Sequence, residues 1–548
     1  MTTEQTLRVR RSLTELQDDY TSDKNKKPLE DLMRAWKGIK DRPPVDPRTG
    51  QPDPNSFFVI GGYHGEPFRG AGWGSASYWG GYCNHGNILF PTWHRVYLLR
   101  LEDALRDVPG CEDVTLPFWD ETSDDTLLHG IPWALTNEKF TLDSETIDNP
   151  LRSFVFNANI VDNIQGDNPN YSKLAGYETK RYPLSGLVGP HDIDDTTKHN
   201  ADYQDYATNV QLLNENIKGW LSSHIVIDGK PKPTNVLQKY HDCLNAPNYT
   251  VFSNTTSAAE WNDNPPGGDA NKVVPLESPH NSIHLAVGGY DVRTGPNAQQ
   301  DSPIDGANGD MGENDTAGLD PIFFFHHAFV DRMFWLWQQR HGFTDHLEVI
   351  AKYPGTNSVD GQNPTPGTAP NSWLTLESPL DPFRITRDGV ERSYTSMDCI
   401  NIEKQLGYNY GPGSLRETSL LEAAVAPERD QTVHVRGISR AQIRGSFLIS
   451  AYAHVDGEPL HLGTEAVLSR WHVEGCANCQ THLEARAFIP LHGLHKKGVT
   501  EKDVKVVLHT RDGRLEQDSP PATPARLLSL EAGAPTTPHR PRFRVEIR

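Results

Sequence analysis

Residues 82–102 read YCNHGNILFPTWHRVYLLRLE and combine histidines with an apolar pattern of helical spacing. Apolar side chains recur along one side of residues 93–107, which predicts an amphipathic helix that carries His94. A second stretch, residues 320–332, reads DPIFFFHHAFVDR and opens the most apolar part of the chain. Its length and its lack of turn residues favour a buried helix over residues 323–337. These two predicted helices define a helical core.

The rest of the sequence adds further helices and then changes character. Apolar residues at helical spacing between residues 29 and 36 predict another helix, while residues 140–270 are polar and turn-rich and are expected to form loops and short helices. Segments further along, such as GSFLISAYAHV, show the β-branched alternation that is typical of strands. We therefore predict a mainly α core over residues 1–412 and a β-rich, sandwich-like C-terminal domain over residues 413–548. The Pro/Ala-rich tail from residue 515 is expected to be loose around one short helix.

Composition excludes several classes of partner. The chain has 548 residues, a length that favours two domains. With 52 basic and 72 acidic residues the net charge is −20, so the basic stripe that binds phosphates is lacking and nucleic acid is not expected as a partner. No apolar run is long enough to span a membrane. The first residues lack an apolar signal segment, which predicts a cytoplasmic protein, and six cysteines are too few for a disulfide scaffold.

Histidines concentrate in two windows of the sequence. His280 and His284 are four residues apart, so on a helix both imidazoles leave the same face. Two sets of three imidazoles could hold two metal ions, and imidazole suits Zn, Cu, Ni and Fe. Neither window contains the carboxylate ligand of many iron and hydrolytic zinc sites. A neutral, all-imidazole site favours copper that cycles between its +1 and +2 states.

Both windows resemble the copper signatures of the tyrosinase family. The first signature is matched by His85, Phe90, Trp93, His94, Arg95, Leu98 and Glu102, and the second by Asp320, Pro321, Phe323, His327 and Asp331. The chain is thus similar to the type 3 copper proteins, which include tyrosinases, catechol oxidases and haemocyanins. This resemblance implies that the helical core is a four-helix bundle that holds two copper ions, with dioxygen as co-substrate.

The resemblance also implies which residues bind each ion. The ligand sets are His64, His85 and His94 for one ion, CuA, and His280, His284 and His327 for the other, CuB. His326 would then pack beside the site or support a ligand. Asp331, one turn after His327, is spaced to orient an imidazole, or else it pairs with an N–H group or an arginine elsewhere. Cys83 lies where many family members carry a thioether to the histidine two residues later, and the alternative is a free buried thiol.

Residues near His280 bear on the reaction. In tyrosinases that resemble this chain, a glutamate just before that histidine and an asparagine just after it hold an activating water, and Glu277 and Asn281 fit these positions. Alternatively, Glu277 is a first-turn carboxylate and Asn281 a helix cap. The spacing of plant enzymes assigns Asn314 as the gate of CuB, where a small polar residue leaves the site open. These residues favour a tyrosinase that hydroxylates small monophenols and oxidises o-diphenols to o-quinones.

Other reactions and arrangements stay open at this level. A catechol oxidase or o-aminophenol oxidase would lack the hydroxylation step, and a haemocyanin-like oxygen carrier would have its pocket permanently blocked. The β-rich domain resembles the family domain that covers the copper site in latent forms, often inserting one side chain, for which residues 466–471 (AVLSRW) are a candidate. Cys476 and Cys479 form a CxxC pair that the resemblance associates with copper loading, although a disulfide or two free thiols fit equally. A homo-oligomer also remains open.

Overall fold

The computed structural model describes most of the chain. The described residues are 7–68, 81–162, 171–188, 192–268, 271–290, 304, 306–357, 373–415, 430–443, 445–455, 457–470, 483–511, 513–516 and 543–548. Cys476 and Cys479, the CxxC pair for which copper loading, a disulfide and free thiols stay open, lie outside these residues. Among the helices that are described, none is both long and apolar enough to cross a membrane.

Helices dominate the first three quarters of the described chain. They are α1 (Leu13–Thr21), α2 (Lys27–Asp41), α3 (Phe57–Gly62), α4 (Phe90–Arg106), α5 (Asp124–His129), α6 (Ile193–Ala201), α7 (Tyr206–Ser222), α8 (Val236–Cys243), α9 (Tyr249–Ser253), α10 (Thr255–Asp263), α11 (Glu277–Gly288), α12 (Ile322–His341) and α13 (Ile402–Leu406). The predicted helices around residues 29–36, 93–107 and 323–337 are confirmed as α2, α4 and α12. The mainly α character of the core is therefore confirmed.

Strands form hairpins in the core and larger sheets after it. They are β1 (Arg8–Arg10), β2 (Lys139–Leu142), β3 (Glu145–Asp148), β4 (Ile160–Asp162), β5 (Tyr171–Lys173), β6 (His224–Ile227), β7 (Lys230–Pro233), β8 (Pro379–Arg387), β9 (Val390–Thr395), β10 (Tyr408–Tyr410), β11 (Thr432–Ser439), β12 (Phe447–Val455), β13 (Glu458–Val467), β14 (Glu484–Pro490), β15 (Val504–Thr510), β16 (Gly513–Glu516) and β17 (Arg544–Ile547).

Packing between helices positions the site. The long helices α4 and α12 pack against each other, α2 packs on α4, and α11 packs on α12. Their facing sides contribute to one apolar cluster, in which Trp36, Trp93 and Trp337 are completely buried. Burying such large side chains stabilises the core and excludes water from its centre. Because α12 is apolar around most of its circumference, it lies in the middle of this cluster.

The prediction of loops and short helices for residues 140–270 was wrong in part. Helix α7 has 17 residues, begins with a hydrogen bond from the Thr208 N–H to the Asp205 side chain, and buries Leu213, Ile217 and Trp220 on one side. Three short hairpins, β2–β3, β4–β5 and β6–β7, also form here. Polar residues such as Gln211 and Glu215 occupy the exposed face of α7, because a helix at the surface needs only one apolar stripe.

Two antiparallel sheets build the C-terminal part, which we call the β region (residues 430–548). The strand orders are β14–β11–β17 and β13–β12–β15–β16, and side chains of both sheets share one apolar cluster. The β-rich character predicted for this part is confirmed. Apart from its first two residues, which belong to β16, the tail expected to be loose (residues 515–541) lies outside the described residues; after it, β17 pairs with β11 through residues 544–547. The division of the chain at residue 412 stays a prediction.

Candidate metal centre

The six predicted histidines lie in two groups. His64 follows α3, His85 lies in the loop before α4, and His94 lies on α4; one nitrogen of each is within 4.8 Å of the others. We call these residues the first triad. Nitrogens of the second group also lie within 4.8 Å of one another and come from α11 and α12. This group contains His280, His284 and His327, which we call the second triad, together with His326.

The second triad has the spacing of a metal site. Nε2 of His327 lies 3.2 Å from Nε2 of His280 and 3.2 Å from Nε2 of His284. With metal–nitrogen bonds of about 2.0 Å, as in zinc–histidine sites, two ligand nitrogens at a tetrahedral angle lie about 3.3 Å apart. Two of the three nitrogen pairs have this separation and all three nitrogens lie within 4.8 Å of one another, so they can bind one ion.

Oxygen acceptors orient four of the imidazoles through Nδ1. The backbone pairs are His64 with Asn314 (3.0 Å), His94 with Phe90 (2.8 Å) and His284 with Met311 (2.8 Å). The side-chain Oδ1 of Asn281 accepts from Nδ1 of His280 at 2.9 Å. Since a carbonyl oxygen only accepts, Nδ1 carries the proton and Nε2 keeps the lone pair that binds a metal.

Buried nitrogens at the first triad lack partners in the protein. Among the described residues, Nε2 of His64 and Nε2 of His94 have no hydrogen-bond partner and no contact with solvent. Leaving a buried polar atom unsatisfied is unfavourable, and a cation bound at the centre of the triad would remove that cost. Both triads therefore fit a metal ion, and their nitrogen-only donor set suits copper.

The electrostatics favour neutral imidazoles. Burial lowers the pKa of His94 to about 3 and that of His327 well below its usual value, and for His327 neighbouring imidazoles lower the pKa further. The pKa of His85 is lowered in the same way, first by burial and then by His94 and His64. A neutral imidazole is the form that binds a metal, so the site is ready for a cation without losing protons.

His326 contacts Glu121, a buried carboxylate just before α5. Its Nδ1 lies 2.6 Å from Oε1 of Glu121, and Oε2 of Glu121 accepts from the hydroxyl of Tyr240 at 2.6 Å. The His326 ring stacks against His280 with ring centroids 5.2 Å apart. His326 is thus a packed neighbour of the second triad. Glu121 could not be predicted from the sequence, because it is 205 residues from its histidine partner.

Glu277 holds two other segments in place. Its Oε1 accepts from the Gly86 N–H at 2.7 Å, and its Oε2 accepts from the N–H and the hydroxyl of Thr255 at 2.8 and 2.9 Å. Burial raises the pKa of Glu277, while hydrogen bonds from Thr255 and Gly86 lower it. Although α11 begins at Glu277, the carboxylate accepts hydrogen bonds from Gly86 and Thr255 rather than from the first turn of its own helix.

Asn281 touches both the second triad and a cavity. The alternative of a helix-start cap was wrong, since Asn281 lies inside α11 and its Oδ1 accepts from His280. Asn281, Ser278 and Arg440 are among the residues that line a cavity of about 330 Å³ between the helical core and the β region. Solvent or a small molecule in this cavity can therefore reach the asparagine that holds a triad histidine.

Asp331 does not orient an imidazole. Its Oδ1 accepts from Nε of Arg95 at 2.6 Å, and its Oδ2 accepts from the hydroxyls of Tyr408 and Tyr410 at 2.6 and 2.7 Å. Arg10 lies 3.7 Å away as a second cation. The alternative reading, an arginine partner elsewhere in the bundle, is correct, because α12 turns Asp331 away from His327 and toward α4.

Asn314 and Cys83 lie together beside the first triad. The Asn314 side chain donates to Sγ of Cys83 at 3.8 Å, and its carbonyl accepts from His64. The role of Asn314 as a gate at CuB stays a prediction, because these contacts involve the first triad. Nη2 of Arg470 donates to Sγ of Cys83 at 3.0 Å, which brings Arg470 of the segment AVLSRW close to the site, while Trp471 lies outside the described residues. The thioether between Cys83 and His85 also stays a prediction.

Comparison with known proteins identifies the family. A sequence model described as the common central domain of tyrosinase matches residues 54–340. The tyrosinase HcTyr2 of Hahella sp. (strain CCB-MM4) is 51% identical over 538 residues, which cover 94% of both chains. The chain belongs to the tyrosinase family. A tyrosinase of Aspergillus oryzae (strain ATCC 42149 / RIB 40) is 45% identical over 521 residues, or 89% of this chain and 92% of that one.

A solved structure agrees with this membership. The low-pH structure of a tyrosinase from Burkholderia thailandensis superposes with a TM-score of 0.77 at 51% identity and covers 91% of this chain and 94% of that one. As a tyrosinase, the chain is a copper-dependent oxidoreductase. The family implies a dinuclear type 3 copper centre, and the two histidine groups fit copper binding.

Proposed function

We propose that the first triad binds CuA, that the second triad binds CuB, and that the pair hydroxylates small monophenols and oxidises o-diphenols to o-quinones with dioxygen. One observation carries this assignment. The two triads lie side by side, with the rings of His94 and His327 stacked at 4.5 Å between centroids, and Nε2 of His327 lies 3.2 Å from Nε2 of both His280 and His284. We further propose that α2, α4, α11 and α12 are the four helices of a bundle around the pair.

Copper, when bound, supplies the electron transfer between the phenol and dioxygen; the protein supplies position and proton handling. Aromatic rings close the site to water. Phe323 stacks on His327 with ring centroids 4.0 Å apart, and Phe90 packs edge-on against His280 at 4.8 Å. These contacts fix the imidazole planes and keep the surroundings of the triads apolar.

Hydroxylation requires that the phenol lose its proton, and a phenol pKa of about 10 leaves little phenolate at neutral pH. We propose that a water held between Glu277 and Asn281 accepts this proton. The Glu277 carboxylate offers about four lone-pair positions and uses three of them on Gly86 and Thr255, so one remains for water. Oδ1 of Asn281 accepts from His280, and the amide N–H groups of Asn281 are left to orient the same water.

Oxygen uptake tests the proposal. Copper-loaded protein is given a monophenol and then a catechol, before and after limited proteolysis, as wild type, as Asn281→Ala and as the control Asn245→Ala, whose side chain is exposed. General-base assistance contributes about 10²–10⁴-fold, so Asn281→Ala should lower monophenol turnover by at least about 100-fold. Catechol turnover should change far less, because a diphenol bypasses the hydroxylation step, and Asn245→Ala should match the wild type.

The other outcomes identify other functions. Equal losses on both substrates would refute the water-holding role of Asn281 and make it a support for His280. Wild-type uptake with catechol alone would leave a diphenol oxidase. No uptake with either substrate after proteolysis, in protein that has bound two copper ions and still binds dioxygen reversibly, would favour an oxygen carrier.

A further inference from the structure

Arg470 brings a charge from the β region into the helical core. It follows β13 by three residues and is only 3% exposed. Its Nη1 lies 2.5 Å from Oδ1 of Asp315, and its Nη2 donates to Sγ of Cys83 at 3.0 Å. Both partners are buried as well, and Asp315 is 1% exposed. Charge-assisted contacts of this kind are strongest where water is excluded.

Each partner of Arg470 adjoins a different histidine of the first triad. Cys83 lies two residues before His85 in the loop that leads to α4. Asp315 follows Asn314, whose carbonyl accepts from Nδ1 of His64 at 3.0 Å. The Asp315 carbonyl also accepts from the N–H of Glu66, so this segment contacts both His64 and the residue two positions after it. A single planar guanidinium thus joins the two segments that set the positions of His64 and His85.

The second triad is held without Arg470. His280 is oriented by Asn281 and His284 by the Met311 carbonyl, and both histidines lie on α11. The polar contacts of Arg470 with described residues are those with Asp315 and Cys83. A change at residue 470 should therefore act on one triad and spare the other.

We propose that Arg470 is a positioning residue of the first metal site, so that the β region is a structural part of this site and does more than cover it. The inference rests on the proposed function, since it requires that the first triad bind a metal ion. Without the guanidinium, the two segments lose their common anchor, and the imidazoles of His64 and His85 are free to separate. Loss of an outer contact that orients metal ligands weakens binding by about 10- to 100-fold.

Copper binding to the full-length, metal-free chain tests this inference. Cu²⁺ is titrated against a competing chelator in two backgrounds, His284→Ala, which leaves only the first triad intact, and His94→Ala, which leaves only the second. We expect Arg470→Gln to raise the dissociation constant about 10- to 100-fold in the first background and to leave it unchanged in the second. The control Arg436→Gln removes a different ion pair between the β region and the core, with Asp263 at 2.6 Å, and should change neither.

Three results would overturn the inference. They are an unchanged dissociation constant for Arg470→Gln in the His284→Ala background, an equal loss in both backgrounds, and a loss of the same size for Arg436→Gln. If Arg470→Gln does not fold by circular dichroism, Arg470→Lys takes its place, because it keeps the buried charge but cannot bridge both partners. Wild-type protein that fails to bind two ions would refute the proposed copper pair itself, which is a separate result.

Discussion

Replacing Asp331 by asparagine should destabilise the core without removing a metal ligand. The carboxylate is 4% exposed and receives three hydrogen bonds, from Arg95, Tyr408 and Tyr410. The Asp331→Asn amide keeps the shape but loses the charge that compensates the buried guanidinium of Arg95. Breaking a buried ion pair on one side typically costs about 3–5 kcal/mol.

The structure places the expected value at the lower end of that range. After the substitution Arg95 still donates to the carbonyls of Cys399 and Ile400 at 2.9 Å and to Gln338 at 3.0 Å. Because these neutral acceptors remain, we expect the free energy of unfolding to fall by about 3 kcal/mol. The measurement is urea denaturation followed by tryptophan fluorescence, which reports on the buried tryptophans of the helical core.

A matched substitution separates this effect from a general one. Asp345→Asn removes an exposed ion pair with Lys404, and no measurable change in unfolding is expected. Equal midpoints for Asp331→Asn and Asp345→Asn would refute the energetic reasoning. Loss of bound copper by Asp331→Asn at unchanged stability would show that Asp331 does orient an imidazole, against the contacts that the structure gives it.

Two further predictions concern Glu121 and Cys83. Burial raises the pKa of Glu121 well above its usual value, so wild type should lose unfolding free energy relative to Glu121→Gln as the pH rises above about 4.5, because only the unfolded chain ionises freely there. Denaturation across pH 4 to 8 checks this, and a difference that does not vary with pH would contradict it. If Cys83 forms the expected thioether, copper-loaded and aerated protein should be two hydrogens lighter by intact mass, and Cys83 should resist alkylation after denaturation. An alkylated Cys83 in copper-loaded, aerated protein would refute the cross-link.

The sequence predicted those features that depend on the spacing of nearby residues. The apolar spacing of α2, α4 and α12 identified three long helices, since a buried stripe needs one side chain every three or four residues. The histidines of the two signatures do lie in two groups, as their resemblance to the family implied. Assignment of these residues as ligands remains a proposal, and the cytoplasmic location and any oligomer remain predictions.

Contacts between distant segments were not predictable. Asp331 is correctly spaced to reach an imidazole on its own helix, but its partners come from α4 and β10, 236 and 77 residues away. Glu277 was expected at the reaction, and its carboxylate also fastens Gly86, 191 residues away. Periodicity gives the face on which a side chain lies; it does not give which element packs on that face.

The pairing of β1 with β10 has a consequence for synthesis of the chain. These strands run parallel and join residues 8–10 to residues 408–410, and Arg10 donates to the Tyr410 hydroxyl across 400 residues. At about 5–20 residues per second, the ribosome needs roughly 20–80 s to deliver the second strand after the first. During that time the first strand lacks its strand partner, so this parallel pair cannot form until about three quarters of the chain has been made.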